Sequence, residues 1–540
     1  MRRRPNAGAI DEIGSSGLFT LIKDRLSGGA SRLAALLLPQ IPQYPRLSRL
    51  GIRAPGAETS VDPFRTRDAG PTRPYGPLVF RIGSASGYTP LAMSLHGVSV
   101  LVAGAGLAGL AAARNLVALG ARVAVVDARE RVGGRVWTLR DGFLDGQHGE
   151  GGGDLIDDSQ AEIRRLAGEL GLSLRPILRG NWGFARPDAR GRPRLVRPGL
   201  PRGWNRLQKH LSALVDRYRL TERRWDSPIV ADLARRSVAD WLEESNADSE
   251  LRATALGLRG FFLADPDQLS LLAVVDQFAA SEAPNAARMS RIDGGNDRLA
   301  AAMAAPLNSS IRLGTELVAI GHRGRSVRAS VRYRQRMSQV TCDYLVLALP
   351  ATIVRRIPIT PALSSQQHDA IAQLGYGRAT RTLLQFSRRF WRAPGRPRAF
   401  GSSLPIGAVW EANEEQRGQS GILSLLAGGT ASDETGEIVA RDGPEALVGS
   451  LDWLGAKGAD LLAARQVVWE AEPWSRGGYA FIDPGYDPAL RDWLARPCGR
   501  LFFAGEHTSV AWQGYMNGAV ESGRRAAAEV LAVHSQSQRS

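Results

Sequence analysis

A glycine-rich turn between a strand pattern and a helix pattern constrains this 540-residue chain more than any other feature. Residues 98–103 form a short, mostly apolar run of strand type. Residues 104–109 read Gly-Ala-Gly-Leu-Ala-Gly, and residues 110–120 place apolar side chains at helical spacing before ending in glycine. A second strand pattern spans residues 122–126 and ends at Asp127. The order strand, glycine turn, helix, strand and acid predicts a complete βαβ unit of about 30 residues.

The three glycines of this turn each have a separate physical task. Gly104 permits the tight turn, Gly106 lets a pyrophosphate approach the backbone, and Gly109 lets the helix pack close to the strand. The helix N-terminus then directs its backbone N–H groups at the phosphates. Asp127 follows Gly104 by 23 residues, where a carboxylate accepts hydrogen bonds from an unphosphorylated ribose. The pattern predicts dinucleotide binding, with an ordinary βαβ turn as the alternative.

The segment after Asp127 distinguishes between nicotinamide and flavin dinucleotides. It contains a second glycine pair, Gly133 and Gly134, between Arg129 and Arg135. Two adjacent glycines let the backbone approach a second part of a long ligand, and an arginine can pair with a phosphate or lie over a ring. Because nicotinamide enzymes do not usually have this feature at this place, the segment favours FAD.

A second specific motif lies near the C-terminus. Residues 501–504 are typical of a buried strand, Gly505 permits a sharp turn, and Glu506 falls just beyond the strand end, where parallel sheets bind ligands. Residues 516–530 predict a helix. Its positive end would face the flavin and stabilise negative charge there by up to ~1–2 kcal/mol.

On these two motifs the chain resembles the flavin-containing amine oxidase family, in its bacterial type. That family includes monoamine oxidases, polyamine oxidases, L-amino-acid oxidases and tryptophan 2-monooxygenase. Residues 98–138 resemble its N-terminal FAD-binding motif, and residues 500–527 resemble its C-terminal motif. With weaker similarities between the two, the resemblance covers residues 98–533.

The resemblance implies an FAD-dependent oxidoreductase of the α/β class. A doubly wound, Rossmann-like FAD-binding domain would be interwoven with an α+β substrate domain. The FAD-binding domain would comprise residues 98–155, 288–350 and 485–533. The substrate domain would comprise residues 156–287 and 351–484.

The resemblance also implies which residues bind the cofactor. The expected FAD contacts are Gly104, Gly106, Gly109, Asp127, Arg129, Gly133, Gly134, Arg135, Val318, Gly505, Glu506, Tyr515 and Met516. The cysteine that links flavin covalently in part of the family would fall at Gly478, where there is no thiol. The FAD is therefore expected to be non-covalent.

In the family, flavin takes a hydride or its equivalent from a neutral amine, the imine is hydrolysed, and oxygen reoxidises the flavin to give hydrogen peroxide. Tyr479 and Tyr515, with Trp512 beside it, match the aromatic pair that encloses the amine, and core packing is the alternative role for the two tyrosines. Arg381 aligns with a lysine that assists the reaction with oxygen. Since arginine is bulkier and cannot deprotonate, Arg381 would substitute imperfectly or the reaction with oxygen would be slow. An alignment error of one residue is the alternative.

The substrate is expected to be an amine without a carboxylate. An L-amino-acid oxidase needs an arginine to clamp the substrate carboxylate. In one branch of these oxidases that arginine would fall near Leu155 of this chain, but no lysine or arginine occurs between residues 147 and 164. Asp154, Asp157 and Asp158 would suit a second cationic amine or lie as solvated loop acids. An L-amino-acid oxidase or a tryptophan 2-monooxygenase-like enzyme is the runner-up, and a non-oxidase flavoprotein, of dehydrogenase or desaturase type, is a further alternative.

Composition argues against other classes. No stretch reaches the roughly 18 apolar residues of a membrane helix, no metal motif is present, and Cys342 and Cys498 are too few for a disulfide scaffold. The net charge of +16 invites a nucleic-acid partner, but 66 of the 69 basic residues are arginine, which resembles a codon bias more than a binding stripe. We expect a small-molecule amine and oxygen as partners, with no metal, no nucleic acid and no integral membrane segment.

Residues 1–97 differ from the rest, with 13 Lys+Arg against 6 Asp+Glu. They are expected to form a low-complexity, partly disordered extension, with an amphipathic helix at residues 17–38 as the alternative. Residues 534–540 are expected to be a tail. The chain begins with a basic Met1–Arg4 segment, but no apolar segment follows at the distance a signal peptide requires. A cytoplasmic location is expected, and the oligomeric state stays open.

Overall fold

The described part of the chain begins just before residue 98, where the FAD-binding domain is predicted to start. The computed structural model describes residues 94–179, 183–187, 204–221, 224–280 and 288–538. Leu95 already belongs to the core, since it is fully buried and its N–H donates to the carbonyl oxygen of Leu119 at 2.8 Å. The amphipathic helix considered for residues 17–38 lies outside the described residues.

A five-stranded parallel sheet contains both ends of the predicted FAD-binding domain. Its strand order is Leu501–Phe503, Tyr344–Leu347, Ser99–Ala103, Arg122–Val126 and Ile311–Arg312. Alternate side chains of the central strand point to opposite faces. Val100 and Val102 pack among helices, whereas Leu101 and Ala103 pack in a separate cluster on the other face.

Helices cover the first face of this sheet. They are Leu107–Ala118, Ala161–Glu169, Asp297–Ala304 and Met516–Ser537, with the 3₁₀ helix Ala305–Ser310 beside them. The predicted helix at residue 516 is confirmed, and it continues to Ser537, into the segment expected to be a tail. A Cβ on Gly523 would overlap the carbonyl oxygen of Ala108. A glycine there lets the last helix pack directly on the helix that follows the glycine turn.

A four-stranded sheet and further helices cover the second face. The strand order is Arg336–Cys342, Val327–Tyr333, Thr315–Gly321 and Ile359–Thr360. The helices are Ala351–Val354 and Ser365–Gln373, with the 3₁₀ helix Pro488–Leu494. A further 3₁₀ helix, Glu506–Thr508, follows the strand Leu501–Phe503. The α/β fold class is thereby confirmed, with strands as well as helices on the second face.

A six-stranded mixed sheet forms a second layer in the predicted substrate domain. Its order is Leu461–Val468, Ala379–Phe386, Gly421–Gly428, Ala408–Glu411, Ala399–Gly401 and Gly183–Phe184. The helix Thr430–Asp442 and the 3₁₀ helices Phe390–Arg392, Pro444–Leu454 and Gly458–Asp460 accompany it. All eight residues of strand Ala379–Phe386 are buried, because this strand lies between two antiparallel neighbours.

A group of helices with its own hydrophobic core completes the predicted substrate domain. The helices are Trp204–Arg219, Pro228–Arg235, Val238–Glu244, Ser249–Leu256, Arg259–Phe262 and Leu271–Ala280. Ser237 and Asp240 form a capping box at one helix start. Three small sheets connect the layers: Ile156–Asp157 with Met289–Ile292 and Leu174–Ile177, Gly375–Tyr376 with Ala480–Phe481, and Thr138–Leu139 with Gly149–Glu150. All described residues fall within one compact unit.

Candidate active site

One continuous cavity of about 1220 Å³ joins the glycine turn to the predicted tyrosine pair. Small-molecule pockets commonly span about 300–1,000 Å³, so this cavity has room for a dinucleotide together with a substrate. Of the residues predicted for the site, all but Gly109 lie in its wall. They are Gly104, Gly106, Asp127, Arg129, Gly133, Gly134, Arg135, Val318, Arg381, Tyr479, Gly505, Glu506, Trp512, Tyr515 and Met516.

The three glycines of the turn differ in what surrounds them. Gly104 has a φ of +105°, and an added Cβ would lie 2.5 Å from the carbonyl oxygen of Ala348. Gly109 packs so closely on Gly104 that no Cβ would fit. At Gly106, which immediately precedes helix Leu107–Ala118, an added Cβ would lie 3.9 Å from the nearest non-neighbouring described atom. Gly104 and Gly109 therefore serve the fold, whereas Gly106 keeps the cavity open at a helix N-terminus, where phosphates bind.

Asp127 follows its strand directly and lies beside the turn. Its carboxylate accepts hydrogen bonds from the backbone N–H groups of Ala105 at 2.7 Å and Arg129 at 2.8 Å. Burial raises the pKa of Asp127, and these two hydrogen bonds oppose the rise. A carboxylate has about four acceptor sites, so Asp127 can fix the turn and still accept from a ribose hydroxyl.

The second glycine pair lies against the first turn. Gly133 donates its N–H to the turn at 2.9 Å, and Gly133 and Gly134 have positive φ angles of +97° and +59°. Arg129 is held by Glu472 and by the Ser475 hydroxyl at 2.8 Å. The sequence offers no sign of this pairing, because Glu472 lies 343 residues further along the chain.

Arg135 joins the N-terminal motif to the C-terminal motif. Its Nη1 donates to Glu506 Oε1 at 2.9 Å and to the carbonyl oxygen of Gly478 at 2.8 Å. Glu506 also accepts from the backbone N–H groups of Ala480 at 3.2 Å and Gly514 at 2.8 Å. Although burial lowers the pKa of Arg135, the Glu506 carboxylate raises it above its ordinary value. Glu506 thus holds three segments together at the cavity wall.

Tyr479 and Tyr515 line another part of the cavity, and each hydroxyl is fixed. Tyr479 donates to the carbonyl oxygen of Phe261, and Tyr515 donates to Gln277 Oε1 at 2.7 Å. Trp512 lies edge-on to Tyr515, with ring centroids 5.7 Å apart. Burial raises the pKa of both tyrosines, and the neighbouring Tyr515 adds to the rise for Tyr479. Both phenols therefore stay neutral hydrogen-bond donors at physiological pH.

Arg381 is buried on strand Ala379–Phe386 and faces the same cavity. Its Nη1 donates to Asp154 Oδ2 at 3.2 Å and to the Ser424 hydroxyl at 2.8 Å, and its Nη2 donates to the carbonyl oxygen of Gly152 at 3.3 Å. The Trp410 ring lies 4.6 Å from its guanidinium carbon. Burial lowers the pKa of Arg381, and Asp154 opposes this change. The side chain is thus held on several sides by groups from separate segments.

Asp154 was expected either to bind a second cationic amine or to be a solvated loop acid, and its surroundings fit neither role. It is 5% exposed and paired with Arg291 and Arg381, so it is not a solvated loop acid and its charge is already matched by two arginines. Asp157 lines the cavity and is half-buried, whereas Asp158 is exposed and pairs with Arg164 at 3.0 Å. Burial separates three carboxylates that the sequence presents as one group.

Several site residues carry no sequence signal. Arg291, Glu415 and Trp410 complete the ion-pair cluster around Asp154, and Phe261 and Gln277 hold the tyrosines. They lie on ordinary strands, helices and loops with no motif around them. The arginine inside the short strand Met289–Ile292 is the one weak signal that could have suggested a buried ion pair at Arg291.

Neither cysteine of the chain lies in the cavity wall. At Gly478, where the family's covalent cysteine is expected to fall, an added Cβ would lie 2.9 Å from the Ala379 side chain and overlap Leu263. The described residues also contain no cluster of three or more His, Cys, Asp or Glu side chains able to hold a metal ion. The cavity wall therefore offers no thiol for a covalent bond to a cofactor.

A βαβ turn with its acid, a second glycine pair and two half-buried tyrosines on one cavity define a flavin-dependent oxidoreductase. Comparison with protein families gives the particular group. The family described as flavin containing amine oxidoreductase matches residues 107–531. The chain belongs to this family.

Individual relatives agree with the family. AofH of Mycobacterium tuberculosis, named provisionally as a flavin-containing monoamine oxidase, is 29% identical over 81% of this chain and 97% of its own length. The flavin-containing amine oxidase A of Sus scrofa is 25% identical over 81% of this chain and 85% of its own. Cyclohexylamine oxidase from Brevibacterium oxydans has a similar structure, with a TM-score of 0.70, 25% identity, and coverage of 81% of this chain and 99% of its own.

The predicted FAD-dependent amine oxidation is confirmed at the level of the family. The protein is an oxidoreductase that uses FAD, and the family uses an amine and oxygen. Among residues 94–538, as far as they are described, no helix has the length and apolar character to cross a bilayer.

Proposed function

We propose that this enzyme oxidises a primary or secondary amine that carries no carboxylate, with the amine held between Tyr479 and Tyr515 beside a non-covalent FAD. The observation that carries the proposal is the single cavity that the glycine turn and both tyrosines share. FAD is long enough to need such an extended site, and the tyrosines mark the part of the cavity left for a small apolar amine.

The turn region, which we define as residues 104–109, Asp127, Arg129 and residues 133–134, would hold the nucleotide half. Helix Leu107–Ala118 directs its N-terminal N–H groups there, and these groups suit the pyrophosphate. Asp127 accepts from a ribose hydroxyl. When bound, FAD supplies the two-electron acceptor that takes hydrogen from the amine and passes the electrons to oxygen.

The tyrosine region, which we define as Phe261, Gln277, Arg381, Tyr479 and Tyr515, would orient the amine. Two aromatic rings form an apolar slot that excludes water and favours the neutral amine. The nearby carboxylates Asp154 and Glu506 are engaged with arginines, so neither is placed to act as a free base. The amine would lose its proton to solvent before it enters the slot.

The state of the cavity arginines supports amines over amino acids. Arg129, Arg135 and Arg381 are each paired with a carboxylate of the protein. A substrate carboxylate would have to displace one of these partners before it could be clamped. Four other cavity arginines are exposed, and they favour an L-amino-acid oxidase as the second candidate: Arg179, Arg288, Arg356 and Arg476.

A substrate panel tests the proposal. Purified holoenzyme is mixed anaerobically with primary amines, secondary amines and L-amino acids while flavin absorbance is followed, and peroxide and ammonia are measured separately in air. We expect amines to reduce the flavin faster than the amino acids of matching side chain, with peroxide as product.

Three other outcomes would each contradict the proposal in a distinct way. Faster reduction by amino acids would assign an L-amino-acid oxidase. Amide formation without free peroxide would indicate a tryptophan 2-monooxygenase type. Reduction in nitrogen with negligible peroxide in air would indicate a dehydrogenase.

The domain organisation is part of the proposal. The FAD-binding domain would comprise residues 98–155, 288–350 and 485–533. This assignment is supported by the parallel sheet, because these residues contain all five of its strands. Residues 156–287 and 351–484 would form the substrate domain. The cytoplasmic location also stays a prediction, which cell fractionation with an antibody to the protein tests.

A further inference from the structure

Asp154 lies at the centre of a buried cluster of charges. Its Oδ1 accepts from Arg291 Nε, and its Oδ2 accepts from Arg381 Nη1 at 3.2 Å and from Trp410 Nε1 at 2.7 Å. Arg291 also pairs with Glu415 at 3.0 Å. Two cations and two anions therefore balance, and all four side chains are nearly excluded from solvent.

This cluster borders the part of the cavity where the reaction would take place. Asp154, Arg381 and Trp410 lie in the cavity wall. Tyr479 is close enough to Arg381 to oppose the lowering of its pKa. Gly153, the residue before Asp154, packs against the start of the last helix, since an added Cβ there would lie 2.9 Å from Met516 Sδ.

One hydrogen-bond donor of the Arg381 guanidinium has no acceptor among the described residues. Its two terminal nitrogens donate to Asp154, Ser424 and Gly152, whereas its Nε is buried and has no acceptor among the described residues. A buried donor without an acceptor is destabilising.

The proposed reaction assigns no step to Asp154, but the surroundings of this residue keep its carboxyl group ionised. Burial alone would raise its pKa, yet Arg291 and Arg381 hold the pKa below its ordinary value. Asp154 is therefore ionised wherever the enzyme is folded near neutral pH. It compensates a positive charge that would otherwise act unscreened in a low-dielectric cavity wall.

We propose that Asp154 is a positioning and charge-compensating residue for Arg381, and that this pair sets the electron affinity of the bound flavin. The inference rests on the proposed location of FAD. With Asp154 ionised, Arg381 is fixed in place and its positive charge is partly cancelled. Removing the carboxylate would expose that charge to the flavin and stabilise negative charge on the reduced ring.

Sulfite binding to the oxidised flavin provides the test, because sulfite adds to the ring and leaves negative charge on it. We expect Asp154→Asn to tighten sulfite binding by about tenfold and Arg381→Met to weaken it by about tenfold, as expected for one charge acting at several ångströms. Arg381→Lys keeps the charge and should stay within about twofold of the natural enzyme. The midpoint potential should rise for Asp154→Asn and fall for Arg381→Met.

A matched control comes from a second aspartate–arginine pair. Asp460 accepts from Arg388 at 2.9 Å at the protein surface, outside the cavity wall. Asp460→Asn should leave sulfite affinity unchanged. Opposite shifts for Asp154→Asn and Arg381→Met support the proposal, whereas shifts of the same sign, or none in variants that retain FAD, overturn it.

Two arms keep the test decisive. If Asp154→Asn does not fold, the test relies on the sulfite affinities of Arg381→Met and Arg381→Lys. Equal sulfite affinities of these two variants would overturn the proposal. Sulfite titration requires bound flavin but no amine. If the enzyme oxidises no amine, the sulfite result can still be interpreted. If the purified protein binds no flavin, the proposed function itself is wrong.

Discussion

The turn region and the tyrosine region of the cavity are built in different ways. The turn region comes from about 30 consecutive residues, and its ligand-binding groups are mainly backbone N–H groups and glycines. The tyrosine region draws on separate segments, and its order depends on side-chain pairs such as Tyr515 with Gln277. Local chain geometry therefore builds the proposed nucleotide site, whereas tertiary packing builds the proposed substrate site.

This difference predicts the largest effect for the turn region. Gly106→Val should leave the fold intact, because the nearest non-neighbouring described atom to an added Cβ is 3.9 Å away. It should weaken FAD binding at least about 100-fold, since the side chain would occupy space needed by the pyrophosphate. Circular dichroism, thermal unfolding and FAD titration measure the two properties. Gly168→Val, at an exposed helix position with open space around it, is the control, and equal FAD affinity in both variants would contradict the prediction.

The next effect concerns Glu150, a buried carboxyl group near Asp154, and depends on pH. Burial, with a contribution from Asp154, raises the pKa of Glu150 from 4.5 to about 8. Because the folded pKa lies above the unfolded value, the stability from Glu150 is fully present below pH 4.5 and is lost as pH rises toward 8. The side chain of the Glu150→Gln variant stays neutral, so this loss does not occur. As pH rises through this window, the free energy of unfolding of the variant should increase relative to that of the natural protein by up to about 1.4 kcal/mol per pH unit.

Denaturant unfolding from pH 5 to pH 8 measures this difference. The control is Glu316→Gln, because Glu316 is a partly exposed carboxylate paired with Arg332 outside the tyrosine region. Parallel stability curves for Glu150→Gln and the natural protein would show that Glu150 is ionised throughout.

A smaller effect returns to the turn region. Asp127→Ala removes the acceptor of two backbone hydrogen bonds and of the proposed ribose contact. FAD affinity should fall by about 30-fold, equivalent to about 2 kcal/mol. Asp127→Asn keeps one acceptor oxygen and should lose less. Unchanged retention of FAD by the alanine variant would remove Asp127 from cofactor binding.

The smallest effect concerns one hydroxyl group. Tyr515→Phe keeps the ring but removes its hydrogen bond to Gln277, which is worth about 1 kcal/mol. The value of kcat/KM for the best amine should fall about fivefold, with FAD affinity unchanged. Tyr333→Phe, at an exposed position outside the cavity, should have no effect. A loss of FAD together with activity would indicate a packing role for Tyr515.

The same contrast explains which features the sequence predicts. The strand Arg122–Val126 and the glycine turn were predictable because a βαβ unit depends on local spacing. The cluster of Asp154 with Arg291 was not, because 137 residues separate the two and no local pattern records a buried ion pair. Asp154 and Asp158 look alike in sequence, and only burial gives them different roles. Arg381 was identified through resemblance, but its partners emerged only from the folded chain.

A crystal structure of the enzyme with FAD and an unreactive amine tests the central claim most directly. We predict the ribose near Asp127, the pyrophosphate at Gly106, and the flavin ring beside Arg381, with the amine between Tyr479 and Tyr515. A flavin ring outside the tyrosine region, or an amine bound away from both tyrosines, would contradict the account.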